Sequence, residues 1–197
     1  MRDIAVAVGA LTFAFTILFV DPIRYGFVGD AVFLVSVVVV SFIAVLTGFL
    51  MHELAHKFAA VRYGLWAEFR ANPRGLLLAI FTALFGIVFA APGAVMIAGP
   101  VDRRRNGIIS VVGPLTNLAF GGGCFAILFA LNSYRVVEPI LLFLLLYQIV
   151  MVNLFLGVFN MIPVPPMDGS KVFRWNKPLW AGLITVFIVL LAYVLLA

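Results

Sequence analysis

The sequence predicts an all-α polytopic membrane protein of five or six transmembrane helices with a re-entrant hairpin around residues 75–100. Three observations carry that prediction. Of 197 residues, 65% are apolar and 11% charged, where soluble domains have roughly half and a quarter. The mean hydropathy is +1.21. Uncharged runs recur at the length of a membrane span, about 20 residues. These features exclude a soluble or disordered chain, and the length fits a single membrane-embedded domain, residues 1–197, with no separate soluble one. The net charge of +5 would also suit a nucleic-acid binder. In so apolar a chain, however, basic residues report topology, and no nucleic-acid partner is expected. The lone Cys124 excludes an internal disulfide.

Taken in order, Ile4–Val20 is uncharged over 17 residues and lacks a convincing cleavage site, so it reads as a first span and not a signal peptide. Asp21, Pro22 and residues 26–30 form a turn. Ala31–Met51 is uncharged over 21 residues, and its helical pattern runs on through His52 and Glu53 to Tyr63, where Gly64 supplies a left-handed cap. Residues 75–100 are apolar but interrupted by Gly86, Pro92, Gly93 and Gly99. Within them Phe85–Ala90 and Ala94–Ala98 read as arms around a turn at Ala91-Pro92-Gly93. Ile108–Asn132 and Pro139–Phe159 are further spans separated by the polar stretch 132–138, and Pro178–Leu196 is the last.

Both histidines of the chain lie in one pentapeptide, His52-Glu53-Leu54-Ala55-His56. On a helix, positions i and i+4 are about 40° apart, so the two imidazoles share a face and can reach one zinc ion at about 2.0–2.1 Å. Glu53 is rotated by about 100° and is free to address the attacking water. A polar interfacial cluster is the plain alternative, but ionisable residues following an uncharged span are costly at membrane depth and functional by default.

A catalytic zinc takes a third protein ligand and keeps an open position. With no third histidine, the ligand is a carboxylate from Asp3, Asp21, Asp30, Glu68, Asp102, Glu138 or Asp168. Asp168 stands out. It ends Asn160-Met161-Ile162-Pro163-Val164-Pro165-Pro166-Met167-Asp168, where prolines forbid continued helix directly after a span. Irregular backbone at that depth belongs in protein or along a water-filled cavity. The alternative is an interfacial turn with Asp168 capping a short helix.

Topology tests this choice. For Asp168 to meet the histidines, residues 75–100 must enter and leave on one face. Eleven of the thirteen basic residues then share a side, with only Arg24 and Arg135 opposite; a full span there divides them six and seven. The positive-inside rule selects the first arrangement and makes the basic face cytoplasmic.

With H-E-x-x-H at 52–56 and N-x-x-P-x-P-x-x-D-G at 160–169, and with Gly113-Pro114-Leu115-Thr116-Asn117 as a weaker cue, the chain resembles the site-2 proteases, M50-type intramembrane zinc metalloproteases, in a compact form without a PDZ domain. The resemblance covers a catalytic core of about residues 31–171, with 4–20 and 178–196 as peripheral helices, and it implies one zinc held by His52, His56 and Asp168, Glu53 as general base, and Asn160 holding substrate or stabilising the oxyanion. It further implies a membrane-embedded hairpin, within 85–98, that takes substrate as an added strand. The expected function is regulated intramembrane proteolysis, acting on a transmembrane protein substrate in a prokaryotic cell membrane. Asn117 and Asn153 are expected to line the cavity or to hydrogen-bond between helices. The competing class is a metal-binding membrane protein without hydrolytic activity, a transporter or regulatory partner, in which Glu53 would have no task.

Overall fold

The computed structural model describes residues 2–20, 31–89, 91–133 and 139–196. The turn expected over 21–30, Ala90 of the first hairpin arm, and residues 134–138 of the polar stretch, with the ligand candidates Asp21, Asp30 and Glu138, lie outside the described residues. In chain order the elements are α1 (Arg2–Val20), α2 (Ala31–Val45), a π-helical turn (Leu46–Leu50), α3 (Met51–Arg62), β1 (Trp66–Ala71), α4 (Pro73–Ala83), β2 (Gly93–Ala98), α5 (Arg103–Ser133), α6 (Ile140–Asn160), α7 (Asp168–Trp175) and α8 (Lys177–Leu196). Among the described residues, five helices are long and apolar enough to cross a membrane: α1, the continuous rod from α2 to α3, α5, α6 and α8. This is the predicted all-α membrane class, with one small sheet added.

The helices pack through small residues, as membrane helices do where there is little hydrophobic drive between them. On α1 the buried positions Ala7, Val8, Leu11, Ala14 and Phe15 fall on one helical face. They meet Ala44, Val45 and Phe49 of the rod, Phe69 of β1, and Leu76 and Ala79 of α4. A second cluster joins α5, α6, α7 and α8 around Val111, Leu154, Met161 and Phe187. The rod ends as expected: Tyr63 closes α3, and Gly64 takes φ of +74°.

Residues 75–100 leave and return on one side, but not as the hairpin predicted. Phe85–Ala90 forms no strand among its described residues. The partner of β2 is instead β1, antiparallel, with Trp66 opposite Ala98 and Ala71 opposite Gly93. Asn72 N–H donates to Pro92 O at 2.9 Å and closes the neck, so the excursion from 72 to 92 begins and ends at one place. Its helix, α4, has 11 residues and rises about 16 Å, roughly half a bilayer's hydrocarbon core. β1 escapes sequence reading because Glu68 and Arg70 make a six-residue strand look like a polar connection.

A chain of contacts brings one end of every span together. Asp3 of α1 reaches β1, and Arg105 of α5 lies over the Tyr63 ring at the end of α3. Arg103 donates to the Arg174 carbonyl of α7, and Trp180 of α8 donates to the Met161 carbonyl just past α6. The common end required for Asp168 to meet the histidines is therefore present.

Candidate metal centre

His52 and His56 are buried on α3, one turn apart, just after the π turn, an element often found at functional sites. Asp168 is the first residue of α7 and is also buried. It begins a short helix, as the alternative reading held, yet its side chain points at the histidines. Asp168 Oδ2 lies 2.9 Å from His56 Nε2 and 3.3 Å from His52 Nε2. The two Nε2 atoms are 3.0 Å apart. Among the described residues these three form the one His/Cys/Asp/Glu group compact enough to hold a metal ion.

The hydrogen bonds behind the histidines decide what faces inward. His56 Nδ1 meets the Ile109 carbonyl at 2.7 Å, which only accepts, so Nδ1 carries the proton. His52 Nδ1 meets Asn117 Oδ1 at 2.6 Å. The Asn117 amide nitrogen is committed to two acceptors, Gly48 O at 2.7 Å and Asn153 Oδ1 at 3.1 Å, so Oδ1 is the atom that faces His52 and accepts its proton. Asn153 in turn donates to Thr47 Oγ1 and Ile149 O. The relay fixes both histidines in the Nδ1–H tautomer, with Nε2 lone pairs turned toward each other and toward a carboxylate. Such a set repels itself unless a proton or a metal cation sits among it. Its edges of 2.9–3.3 Å are close to the roughly 3.4 Å between donors of a tetrahedral zinc. The residues fit zinc.

Gly113 of α5 gives the site its room. A Cβ there would lie 2.4 Å from His56 Nε2 and 2.7 Å from His52 Cε1, so only glycine lets the helix pass so close.

Glu53 Oε2 accepts the Val95 N–H of β2 at 3.1 Å. The β1 pairing, continued by Asn72 with Pro92, uses the even-numbered residues of β2. Gly93, Val95 and Ile97 therefore turn their backbone groups away from β1 and toward the site. Asn160, the last residue of α6, donates to Leu156 O at 3.1 Å. It shares with His52, Glu53, His56 and Asp168 a cavity of about 530 Å³, otherwise walled largely by apolar side chains such as Phe15 and Phe155. Of the other carboxylates considered, Asp3 bonds Ala71 N, Glu68 pairs with Arg70, and Asp102 with Arg105.

The structure brings together His52, His56, Asp168 and Glu53, the residues that sequence reasoning singled out. Sequence reasoning missed the Ile109 carbonyl, the close approach of Gly113 and the Val95 N–H, and it gave Asn117 only a cavity-lining or generic interhelical role. The signal for the last was present, since Gly113 and Asn117 stand one turn apart in the weaker motif.

Comparison with known proteins agrees. A Methanocaldococcus jannaschii protein named "Putative zinc metalloprotease MJ0611" is 42% identical over 155 residues, 76% of each chain. "Zinc metalloprotease MJ0392" of the same organism is 30% identical over 135 residues, 68% of this chain and 33% of that one. Bacillus subtilis "Putative zinc metalloprotease YwhC" is 29% identical over 154 residues, 67% and 66%. No protein-family model and no solved structure matches the chain. With a triad suited to zinc, a glutamate beside it, and a relative 42% identical over 76% of both chains, the chain belongs to the zinc metalloprotease family of MJ0611, the site-2 protease family.

Proposed function

We propose that this protein is an intramembrane endopeptidase that cuts a peptide bond in or beside a membrane-spanning segment of another protein, the step at the heart of regulated intramembrane proteolysis. The observation that carries the proposal is the open edge of β2, which turns Gly93, Val95 and Ile97 toward Glu53 inside an apolar cleft among membrane-length helices.

A substrate helix hides its scissile amide in its own hydrogen-bond ladder, and unwinding it in an apolar setting leaves N–H and C=O groups unpaired. Addition as a strand to β2 pairs them again and lays the scissile carbonyl beside the triad. His52, His56 and Asp168 would hold one zinc ion per chain. When bound, zinc supplies a Lewis acid that polarises a carbonyl and brings the pKa of water toward about 7. Glu53 takes the proton of the attacking water and returns it to the leaving amine. The Val95 N–H holds that carboxylate until a substrate strand takes its place. One amide hydrogen of Asn160 holds Leu156 O, and the second serves the developing oxyanion.

The basic end of the bundle faces the cytoplasm of a prokaryotic cell by the positive-inside rule, so water reaches the site from there. Glu53→Gln tests the mechanism: zinc stays bound and cleavage of a membrane-spanning substrate is lost. Undiminished cleavage rules the assigned base out. For the topology, single cysteines at Arg104 and Ser133 should label from opposite faces, and labelling from one face refutes it.

A further inference from the structure

We infer that a second site, for a phosphate-bearing anion such as an acidic lipid headgroup, lies beside the mouth of the catalytic cleft, in a cavity of about 440 Å³ lined by Arg103, Asn106, Lys171 and Arg174. Three of the four lining residues are cationic and the fourth carries an amide donor.

A side-chain hydrogen bond and the close packing of Trp175, not countercharge, assemble this cluster. Arg103 donates to the Arg174 carbonyl, and Trp175 packs so closely on Gly107 that a Cβ there would lie 2.5 Å from the Trp175 side chain. The end of α7 is thereby clamped to the first turns of α5. The nearby acids are engaged elsewhere. Asp102 accepts the Arg105 N–H at 2.7 Å and pairs with its guanidinium at 3.5 Å. Asp168 turns Oδ2 to the histidines and leaves only Oδ1, 3.4 Å from Lys171. Among the described residues neither Arg103 nor Arg174 has an acidic partner. Cations grouped around a cavity repel one another until an anion is shared between them, and guanidinium forks match phosphate oxygens in pairs.

The position favours a headgroup. The cavity opens at the end of the bundle where α5 and α8 begin and α3 and α6 finish, the level at which a bilayer presents its phosphates. Asn106 and Lys171 line the catalytic cavity as well, and Lys171 touches a metal ligand. The anion therefore stands next to the path of an incoming substrate.

The test uses the zinc-loaded protein in phosphatidylcholine nanodiscs, with phosphatidylglycerol added in one arm and inorganic phosphate in the other. Bound lipid is read by native mass spectrometry and phosphate by calorimetry. Arg174→Gln is the informative variant because it keeps the carbonyl that holds Arg103. Phosphatidylglycerol affinity should fall about fivefold, with zinc content unchanged, while Arg62→Gln at the same end of the bundle leaves it unaltered. Inorganic phosphate binding with the same dependence on Arg174 assigns the site to free phosphate. Equal affinity of Arg174→Gln and the unaltered protein for both probes overturns the inference, as does an equal loss in Arg62→Gln, which would mean diffuse attraction to the charged end.

Discussion

Asn117 offers the sharpest test of the metal centre, because it serves stability and tautomer control through different atoms. It is fully buried and makes three hydrogen bonds, accepting from His52 Nδ1 at 2.6 Å and donating to Gly48 O at 2.7 Å and Asn153 Oδ1 at 3.1 Å. Between membrane helices such a bond averages about 0.6 kcal/mol, so Asn117→Ala should cost about 2 kcal/mol of stability. It also frees His52 to rotate or change tautomer, and loss of a partner behind a metal-bound histidine lowers affinity about 10–100-fold, or about 1.4–2.7 kcal/mol. Asn117→Asp separates the two effects. Its carboxylate still accepts the His52 proton, so zinc affinity should recover relative to alanine. It can no longer donate to Gly48 or Asn153 and sets oxygen against oxygen there, so stability should be no better than that of alanine. Chelator competition on purified protein reads the first quantity and thermal unfolding the second. If alanine and aspartate weaken zinc equally, or neither changes it beyond about twofold against the expected 10–100-fold, the tautomer argument is wrong.

Other consequences can be checked as directly. Gly113→Ala places a methyl within 2.4 Å of His56 Nε2, and elemental analysis should find a larger loss of zinc than in Asn117→Ala. Val95→Pro deletes the outward N–H that a substrate strand would pair with while sparing the ladder to β1; kcat/KM should fall about tenfold, the value of one such lost bond at the upper end, with zinc retained. Zinc bound to the folded state stabilises it by mass action, so chelation should lower Tm and reloading should restore it; an unchanged Tm contradicts a zinc site at His52, His56 and Asp168.

The spans and the triad were legible for physical reasons that do not extend to the rest of the site. Apolar runs of span length mark helices whatever their neighbours, and two histidines at i and i+4 share a face by helix geometry alone. Asp168 needed a further constraint, the common end, and charge bias supplied it. By contrast β1 is a strand only because β2 lies beside it; alone, Trp66–Ala71 is a short polar link. The Ile109 carbonyl and the Val95 N–H are backbone groups, which every residue possesses, so no residue type advertises them. Gly113 appears in sequence as one of 17 glycines, and its meaning arises only when α5 crosses the histidines.

The sheet is unequal at its two edges, and on the proposed function that inequality directs the substrate. β1 and β2 together have two outer rows of backbone groups in a largely apolar setting, where an unpaired N–H is costly. On the β1 side, Asp3 of α1 accepts the outward N–H of Ala71 at 3.1 Å, and Phe69 is packed among α1 and the rod; a strand arriving there would have to displace a helix. On the β2 side the outward N–H of Val95 is held by the catalytic glutamate itself. Strand addition at β2 therefore competes with Glu53 for that donor. Pairing would release the carboxylate toward the attacking water at the moment the scissile bond arrives, and the base would be held still until then. A substrate backbone with the amide that accepts from Val95 replaced by a depsipeptide ester should accordingly lose turnover more than binding, because the weaker carbonyl acceptor leaves Glu53 in place. Equal losses in kcat and in affinity would reduce Val95 to a plain binding contact.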